Sequence, residues 1–475
     1  MSTTLTKTNY LQFLACPNEF WLAHHQPHLA QQEESLEYKH LRQQGYAVQK
    51  LVREMSLFKG LDLERYHADF ERAFTTADLF AKSDAVITDK VTGELRIYEI
   101  KSSSRVKDEH IEDVAFQRTA AELNGFIVAG CFVITANGEY VRRGDIVPDE
   151  LFTVHDVTAQ VEIRAAETTA AIANAFKYLT VEPIPNLTAY CDGNKLDCSY
   201  IKHHFPDLPE YSVFDIAYLK HDQRRQLLNG GIVCIKDVPD DFALSPKQRN
   251  QVSAAQSGEI IIDRAEIASR IESWQYPLHF LDYETFCYAI PHYEGVRPFQ
   301  QMCFQYSLHT ISEAGGEMQH SYFLSNGDDD PPRAMAAHLC ESMKGAIGTV
   351  FVWYESFEKS RNTEMAGMFP EFAAFFEEIN AKTCDLMKIF SENLYIHPDF
   401  KGRTSIKKVL PVLCPQLSYA ELGIGDGITA SINWFHMATK RHDDERCRQI
   451  FDDLCTYCHL DTIAMVEIFN CLRKL

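Results

Sequence analysis

The amino-acid sequence predicts a mixed α/β protein with more than one domain. Its 475 residues exceed the roughly 100–200 residues of an average domain. Short β-rich runs alternate with helical periodicity twice along the chain, first over residues 81–178 and again from residue 278. Hydrophobic residues make up 45% of the sequence and charged residues 24%, which is ordinary for a globular protein and excludes disorder as its main state.

The chain is acidic, with a formal net charge of −21. This charge argues against a protein that coats nucleic acid through bulk electrostatics, although it is compatible with a local basic groove. The N-terminus has no signal-peptide pattern, and the longest apolar stretch, residues 126–136, is far shorter than the roughly 20 residues of a membrane span. We therefore expect a cytoplasmic protein without membrane contact, whose 14 cysteines are reduced.

The N-terminal part begins with helices and continues with alternating strands and helices. Apolar residues at three- and four-residue spacing predict helices, and short runs rich in β-branched and aromatic residues predict strands. In chain order, the predicted elements are helices over 9–24 and 34–57, strands over 81–88 and 94–101, a helix over 109–123, a strand over 126–135 and a helix over 159–178.

The composition changes near Pro183 and Pro185, and a new section starts at Tyr276. The intervening residues 211–270 favour a small helical unit. From residue 278 onward, the predicted elements are strands over 278–283, 299–311 and 320–324, a helix over 331–343 and a strand over 348–354, followed mainly by helices. We therefore predict three domains, which comprise residues 1–205, 206–272 and 273–475.

Two carboxylates and a lysine on paired strands form the first candidate site. Glu99 and Lys101 lie two residues apart and so face the same side of the sheet, and Asp84 lies on the preceding strand. Such carboxylates can hold Mg²⁺ or Mn²⁺, and an adjacent ammonium can orient or help deprotonate an attacking water. Asp113 and Gln117 share one face of the next helix. Because the pattern is short, the alternative is an exposed strand with a cross-strand charge pair.

The sequence around these residues resembles the PD-(D/E)XK nucleases of the RecB type, in particular the CRISPR-associated RecB-like exonucleases. The resemblance covers the predicted first domain and implies a restriction-endonuclease-like fold. It also implies that Asp84 and Glu99 bind a metal ion, that Lys101 is catalytic and that Gln117 lies on the following helix. Many relatives have a histidine on an early helix at the position where this chain has Gln49.

A cysteine near the N-terminus and a later cluster form the second candidate site. Cys16 lies in the first predicted helix, and Cys191, Cys198 and His204 lie near the end of the first predicted domain. This arrangement resembles the iron–sulfur cluster that joins the two ends of the nuclease domain in the RecB-like enzymes. A Cys₃His ligand set fits either a modified iron–sulfur cluster or a zinc site. The alternative is that the cysteines are small buried apolar residues.

The third candidate site combines two carboxylates on a strand with two residues of the C-terminal helix. Asp282 and Glu284 end a buried strand and point the same way, and Tyr457 and Asp461 share a helix face. Two metal ions about 4 Å apart need about four acidic ligands to hold the attacking and leaving oxygens of a phosphate. Each pair alone is also explained by solvated surface charge.

In this order along the chain, the four residues resemble the DEDDy exonucleases of the ribonuclease H-like fold. The resemblance covers about residues 276–475 and implies 3′→5′ exonuclease activity. It calls for one more acidic ligand after the fourth strand, where Glu358 stands in place of the usual aspartate. Asp385 is the alternative ligand.

A basic segment within this acidic chain is a candidate for nucleic-acid binding. Lys401, Arg403, Lys407 and Lys408 could contact phosphates, and the alternative is a solvated helix start. Residues 213–239 faintly resemble a helix–hairpin–helix DNA-binding unit, and the favoured alternative is a plain helical linker.

Residues 281–286, 297–301 and 304–309 also resemble a widespread group of uncharacterised bacterial proteins whose N-terminal sections carry RecB-like motifs. We therefore expect a metal-dependent nuclease, with single-stranded DNA favoured and RNA as the alternative substrate. The sequence has no Walker Gly-Lys-Ser/Thr motif, so strand separation would need a protein partner such as a helicase. The alternative function is a nucleic-acid-binding or scaffold protein in which one or both nuclease sites are inactive.

Overall fold

The computed structural model describes residues 4–30, 36–180, 198–328, 330–420 and 422–475. The chain forms two compact units. The first comprises Met1–Asp207 and Tyr288–Gln300, and the second comprises Leu208–Cys287 and Gln301–Leu475. Within the described residues, none of the helices combines the length and the apolar character that crossing a membrane requires.

The first unit is a mixed β-sheet with helices on both faces. Its strands are, in chain order, β1 (Leu5–Thr6), β2 (Tyr66–Thr75), β3 (Leu79–Asp89), β4 (Leu95–Ile100), β5 (Val128–Ala136) and β6 (Phe152–Asp156). The sheet has the order β1-β3-β4-β5-β6, and β2 pairs with β3. The β1–β3 and β4–β5 pairs are parallel and the other pairs are antiparallel.

The helices of the first unit are α1 (Lys7–Ala15), α2 (Pro17–His25), α3 (Leu36–Val52), α4 (Ser56–Lys59), α5 (Asp108–Leu123), α6 (Pro148–Leu151), α7 (Thr158–Leu179) and α8 (Ile201–His204). One apolar cluster joins the sheet to α1, α2, α5 and α7. A second cluster joins the sheet to α3 and α4. The central strands are therefore buried on both faces, as their apolar runs require.

Most predicted elements of this unit are confirmed to within a few residues, but two predicted helices are each divided in the structure and the strands β1, β2 and β6 were not predicted. The helix predicted over 9–24 is two helices, because Cys16 is extended and caps α2, whose first residue is Pro17. The helix predicted over 34–57 also breaks after Val52. The strand β2 was not predicted, because few of its residues are buried on either side and Glu71 has a positive φ of 59°.

The second unit contains a five-stranded sheet and a two-stranded one. Its strands are β7 (Ile261–Ile262), β8 (Leu278–Phe286), β9 (Met302–Ile311), β10 (Met318–Leu324), β11 (Thr349–Val352), β12 (Thr383–Asp385) and β13 (Tyr395–Ile396). The larger sheet has the order β10-β9-β8-β11-β12, in which the first three strands are antiparallel and the last two join in parallel. The start of β9 predicted at residue 299 was wrong, since Phe299 has a positive φ of 60°.

The helices of the second unit are α9 (His221–Asn229), α10 (Pro246–Ser257), α11 (Arg264–Ser273), α12 (Pro331–Ser342), α13 (Glu355–Met368), α14 (Ala373–Lys382), α15 (Lys388–Ser391), α16 (Ile406–Leu413), α17 (Gly427–Ala438) and α18 (Asp444–Leu472). Alternate residues of β8 face opposite sides of the sheet. Phe280 packs with α18, and Leu281 and Tyr283 pack with α12, α13 and α14. Asp282 and Glu284 therefore face α18.

Candidate functional site

Strands β3 and β4 bring together the first predicted site. Their antiparallel register pairs Ala85 with Tyr98, which sets Asp84 beside Glu99. The backbone N–H of Ile100 donates to Asp84 Oδ2 over 2.8 Å. On α3, Gln49 Nε2 donates to Asp84 Oδ1 over 2.9 Å. Both oxygens of Asp84 therefore accept a hydrogen bond, and Gln49 contacts this carboxylate directly.

Glu99 lies at the centre of a buried polar network. Lys101 Nζ lies 2.7 Å from Glu99 Oε1 and 2.5 Å from Asp113 Oδ2. Lys7 Nζ lies 3.0 Å from Glu99 Oε1 and 3.1 Å from Asp113 Oδ1. Gln117 Nε2 donates to Glu99 Oε2 over 2.6 Å and to Asp113 Oδ1 over 3.0 Å. Glu99, Lys101, Asp113 and Gln117 are thus in contact with one another, and Lys7 joins them.

The two carboxylates on the paired strands have opposite pKa shifts. Burial, and next the charge of Glu99, raise the pKa of Asp84 to about 7. Burial would also raise the pKa of Glu99, but the charges of Lys101 and Lys7 outweigh it and lower this pKa to about 2. Glu99 is therefore ionised at neutral pH, whereas Asp84 exchanges its proton near neutral pH.

Sequence reasoning missed Lys7. It lies 92 residues before Glu99, and a single lysine at the start of a helix carries no periodic signal. Only the fold shows that α1 brings a second ammonium to the same two carboxylates that Lys101 contacts. Lys7 is three-quarters buried, with 24% of its side chain exposed.

Changing Asp84 to asparagine should alter how stability depends on pH in the absence of metal ions. The folded protein favours protonated Asp84, so this contribution to stability is present below the unfolded pKa of 3.8 and is lost as pH rises through about 7. The uncharged variant does not lose this stability, which amounts to at most about 4 kcal/mol in the free energy of unfolding. Asparagine can still accept from Ile100 N–H, and the amide of Gln49 can rotate to accept from it.

The measurement is urea unfolding in EDTA between pH 4 and pH 7, followed by circular dichroism. As pH rises, the free energy of unfolding of D84N should increase relative to that of the wild type. A difference between the two proteins that stays constant over this pH range would contradict the expectation.

The second predicted site is described only in part, because Cys191 lies outside the described residues. The sulfur of Cys16 accepts from the backbone N–H of Glu19 over 3.4 Å and so caps α2. Cys198 packs against an apolar cluster that Trp21 and Leu22 of α2 form with Tyr200. His204 Nδ1 is buried without a hydrogen-bond partner among the described residues, and burial lowers its pKa to about 4.

Two thiols and a neutral imidazole are ligands that suit zinc or an iron–sulfur cluster. Within the described part of the chain, however, Cys16, Cys198 and His204 do not form a group whose ligand atoms all lie within 4.8 Å of one another. The ligand types of these three residues therefore fit a metal centre, but their atoms are too far apart in the described structure to bind one ion together.

Strand β8 and helix α18 form the third predicted site. Ligand atoms of Asp282, Glu284 and Cys458 lie within 4.8 Å of one another, and the Cys458 thiol lies 3.9 Å from Asp282 Oδ2. Burial, and next the charge of Asp461, raise the pKa of Asp282 well above its usual range. Burial and the charge of Asp282 do the same for Glu284, and burial raises the pKa of Asp461 to about 6.

Glu358 interacts electrostatically with Asp282, but among the described residues neither Glu358 nor Asp461 belongs to the group of ligand atoms within 4.8 Å of one another. It lies in the first turn of α13 and is 2% exposed, and its Oε2 atom has no hydrogen-bond partner among the described residues. Burial, and next the charge of Asp282, raise its pKa to about 9. The alternative ligand Asp385 instead accepts hydrogen bonds of 3.0–3.2 Å from the backbone N–H groups of Tyr354, Glu355 and Met387. Asp385 thereby fixes the start of the helix that positions Glu358.

One lysine of the predicted basic segment lies inside this cluster. Lys407 Nζ donates to the phenol oxygen of Tyr457 over 3.1 Å and to the carbonyl of Gly425 over 2.8 Å. Its charge counteracts the raised pKa values of the β8 carboxylates and of Asp461. Tyr419, which sequence reasoning missed, donates to Asp461 Oδ1 over 2.6 Å. It precedes Asp461 by 42 residues, so no local pattern links them.

The other basic residues lie outside the carboxylate cluster. Lys401 pairs with Glu210, and Arg403 Nη2 lies 3.3 Å from Asp215 Oδ1. Lys408 is exposed. Two of the four predicted phosphate-binding residues are thus engaged by carboxylates of the preceding helical segment.

Part of the chain matches a protein family. Residues 279–405 match the family described as "Domain of unknown function (DUF2779)". This stretch contains Asp282, Glu284 and Glu358 and ends before Tyr457 and Asp461.

One curated protein is similar to part of this chain. Over 216 residues the chain is 28% identical to "Uncharacterized protein UU173" of Ureaplasma parvum serovar 3, and the match covers 41% of this chain and 31% of that protein. The chain thus spans less than a third of the length of the relative it matches.

The two carboxylate clusters differ in how far the protein neutralises them. In the first unit, Asp84, Glu99 and Asp113 face the ammonium groups of Lys7 and Lys101. In the described part of the second unit, Lys407 is the cation whose charge opposes the raised pKa values of the buried pair Asp282 and Glu284. Burying this many ionised carboxylates beside so little positive charge is unfavourable, so they take up protons, as their raised pKa values indicate, unless cations neutralise them. The second cluster therefore fits bound divalent cations, which favour oxygen ligands.

Proposed function

We propose that the protein is a metal-dependent nuclease with a candidate active site in each unit. The first unit would be a PD-(D/E)XK domain of the restriction-endonuclease-like fold. The second would contain a DEDDy exonuclease domain of the ribonuclease H-like fold. The single observation that carries the proposal is the convergence of buried acidic residues from β8 and α18 beside Tyr457.

The order of the strands supports this proposal. The larger sheet of the second unit runs through three consecutive antiparallel strands, then a helix, and then strands that join in parallel. This is the order expected for the opening of a ribonuclease H-like fold. In the first unit, β3 and β4 carry Asp84 and Glu99, and α5 carries Gln117 on their buried side, which is the order of the PD-(D/E)XK motif.

In the second unit, Asp282, Glu284, Glu358 and Asp461 would hold Mg²⁺ or Mn²⁺. The bound ions would stabilise charge on the phosphate and lower the pKa of an attacking water. Lys407 donates to the phenol oxygen of Tyr457, so the phenol uses its own proton as a donor. That proton can point to Asp461 or to the attacking water, which gives Tyr457 an orienting role.

In the first unit, Asp84 and Glu99 would hold the metal ion, and the lysines would act on the phosphate. Lys101 already bridges Glu99 and Asp113, and this fixes its ammonium beside the ligands, where it can orient a water. Lys7 places a second ammonium beside the same carboxylates. Paired positive charges of this kind favour the negative charge that develops on a reacting phosphate.

A second candidate function follows from the same network. All oxygens of Asp84 and Glu99 accept from donors within the protein: Gln49, the backbone of Ile100, Lys7, Lys101 and Gln117. A metal ion would have to displace some of these contacts. The first unit would then bind nucleic acid without cutting it, and cleavage would come from the second unit alone.

The proposal is tested with 5′-labelled single-stranded DNA, the matching duplex and RNA of the same sequence, each in Mn²⁺, Mg²⁺ or EDTA. We expect metal-dependent ladders that shorten from the 3′ end, with single-stranded DNA degraded fastest. The absence of cleavage with either metal, or cleavage that persists in EDTA, would contradict the proposal.

A further inference from the structure

Three histidines of the second unit come together outside the carboxylate cluster. His309 on β9 pairs directly with His320 on β10, and His459 lies on α18. The ring centroids are 4.4 Å apart for His309 and His320, 4.8 Å for His309 and His459, and 4.5 Å for His320 and His459. One ring nitrogen from each residue lies within 4.8 Å of the other two.

We propose that this histidine triad (His309, His320 and His459) is a binding site for a divalent transition metal ion of the zinc class. Imidazole nitrogen favours Zn²⁺, Cu²⁺ and Ni²⁺, whereas Mg²⁺ and Ca²⁺ favour oxygen. Three histidines leave one position of a tetrahedral ion for water. The triad therefore differs in ligand chemistry from the Mg²⁺ or Mn²⁺ cluster on β8.

The distance between the ring nitrogens of one pair, His320 and His459, already suits a bound Zn²⁺ ion. His459 Nδ1 and His320 Nε2 are 3.4 Å apart. Two ligands on one tetrahedral Zn²⁺, each about 2.0–2.1 Å from the metal, are about 3.3 Å apart. His309 is buried, whereas His320 and His459 are exposed, so small ring rotations at the surface can complete the triangle and the ion can enter from solvent.

Thr462 and Ser307 contact the histidine triad and can orient its rings, as residues that hydrogen-bond to metal ligands do. His309 Nδ1 lies 2.8 Å from Thr462 Oγ1, and in the tautomer in which Nδ1 donates to this oxygen, His309 Nε2 keeps its lone pair for a metal ion. Thr462 in turn donates to the backbone carbonyl of His459 over 3.1 Å. Ser307 Oγ lies 2.7 Å from Thr462 Oγ1 and 2.9 Å from His320 Nε2. Turning the Ser307 proton toward Thr462 frees His320 for a metal ion.

A metal ion at the triad would connect α18 to two strands of the sheet. His459 lies on the same helix as Tyr457 and Asp461, but its neighbours are β9 and β10. The ion would therefore hold the helix that carries these two residues without belonging to the carboxylate cluster. Its binding to the folded chain alone would raise the thermal stability of the protein by mass action.

The experiment is a Zn²⁺ titration of the full chain, prepared without an affinity tag, by isothermal calorimetry in excess Mg²⁺. The Mg²⁺ occupies oxygen-rich sites, so the titration reports nitrogen and sulfur ligands. The variants are H320A and H459A, both at exposed positions that should leave the fold intact. The matched control is H442A, which removes an exposed histidine of the same unit outside the triad.

We expect wild type and H442A to bind one more equivalent of Zn²⁺ than H320A and H459A. The Kd for that equivalent should weaken by more than the roughly 10–100-fold that loss of an outer partner causes. Added Zn²⁺ should also raise the melting temperature of wild type and H442A more than that of either triad variant. Equal stoichiometry and equal Kd in all four proteins would overturn the proposal.

The spectrum of bound Co²⁺ separates the triad from any cysteine site. Co²⁺ at three histidines gives visible ligand-field bands without the sulfur-to-metal charge-transfer band of a thiolate site. We expect the bands that disappear in H320A to lack this charge-transfer component. Loss of a thiolate band in H320A instead would contradict the histidine triad as the ligand set.

Discussion

Asparagine in place of Asp282 is expected to lower the rate of 3′→5′ degradation by about 10³-fold. Asp282 interacts electrostatically with Glu284, Glu358 and Asp461, so it lies among the carboxylates that would hold the metal ions. Removing its charge would cost several kcal/mol of transition-state stabilisation, and each 1.4 kcal/mol is tenfold in rate. Asparagine keeps the size of the side chain and an oxygen that can accept from Cys458.

The initial rate of shortening of 5′-labelled single-stranded DNA in Mn²⁺ measures this effect. The matched control is D444N, an aspartate-to-asparagine change at an exposed position in the first turn of α18, which should keep the wild-type rate. The melting temperature of D282N in EDTA should not fall, because the substitution relieves repulsion between buried carboxylates. A wild-type rate in D282N would contradict the role assigned to this residue.

Methionine in place of Lys101 is expected to lower cleavage by the first unit by about 10²–10⁴-fold, the usual contribution of a positioned proton-transfer group. The ammonium of Lys101 bridges Glu99 and Asp113, and methionine keeps the apolar stem without that charge. This effect is measured in the D282N variant, because the cleavage that remains in D282N reports the first unit alone.

The control for this change is K59M, because Lys59 forms an exposed ion pair with Glu54 and such pairs contribute little. It should leave the remaining cleavage unchanged. Remaining cleavage that K101M does not reduce would exclude Lys101 as a catalytic residue. Complete loss of cleavage in D282N alone would favour the second candidate function, in which the first unit binds nucleic acid without cutting it.

The first site could be predicted from sequence because its parts are local. Glu99 and Lys101 share a strand, Asp84 lies on the preceding strand, and Gln117 lies on the next helix. The strand and helix periods therefore suffice to place these four residues together. Lys7 and Gln49 could not be placed in the same way. They reach the site from helices whose packing depends on apolar contacts far along the chain.

The second unit shows the same division between local and distant signals. The pairs Asp282 with Glu284 and Tyr457 with Asp461 follow from spacing within one element. Lys407 was predicted to contact phosphate from its charge alone, yet α16 sets it against the phenol of Tyr457. The histidine triad was not foreseen, because His309 and His320 become neighbours only through the register of β9 and β10.

The most direct test of the nuclease proposal compares wild type with the double variant K101M/D282N. Both are purified identically and incubated with 5′-labelled single-stranded DNA in Mn²⁺. We expect wild type to shorten the DNA and the double variant to leave it intact while retaining the wild-type circular dichroism spectrum. Equal degradation by the two proteins, or none by the wild type, would contradict the central claim that these carboxylate clusters hydrolyse phosphodiester bonds.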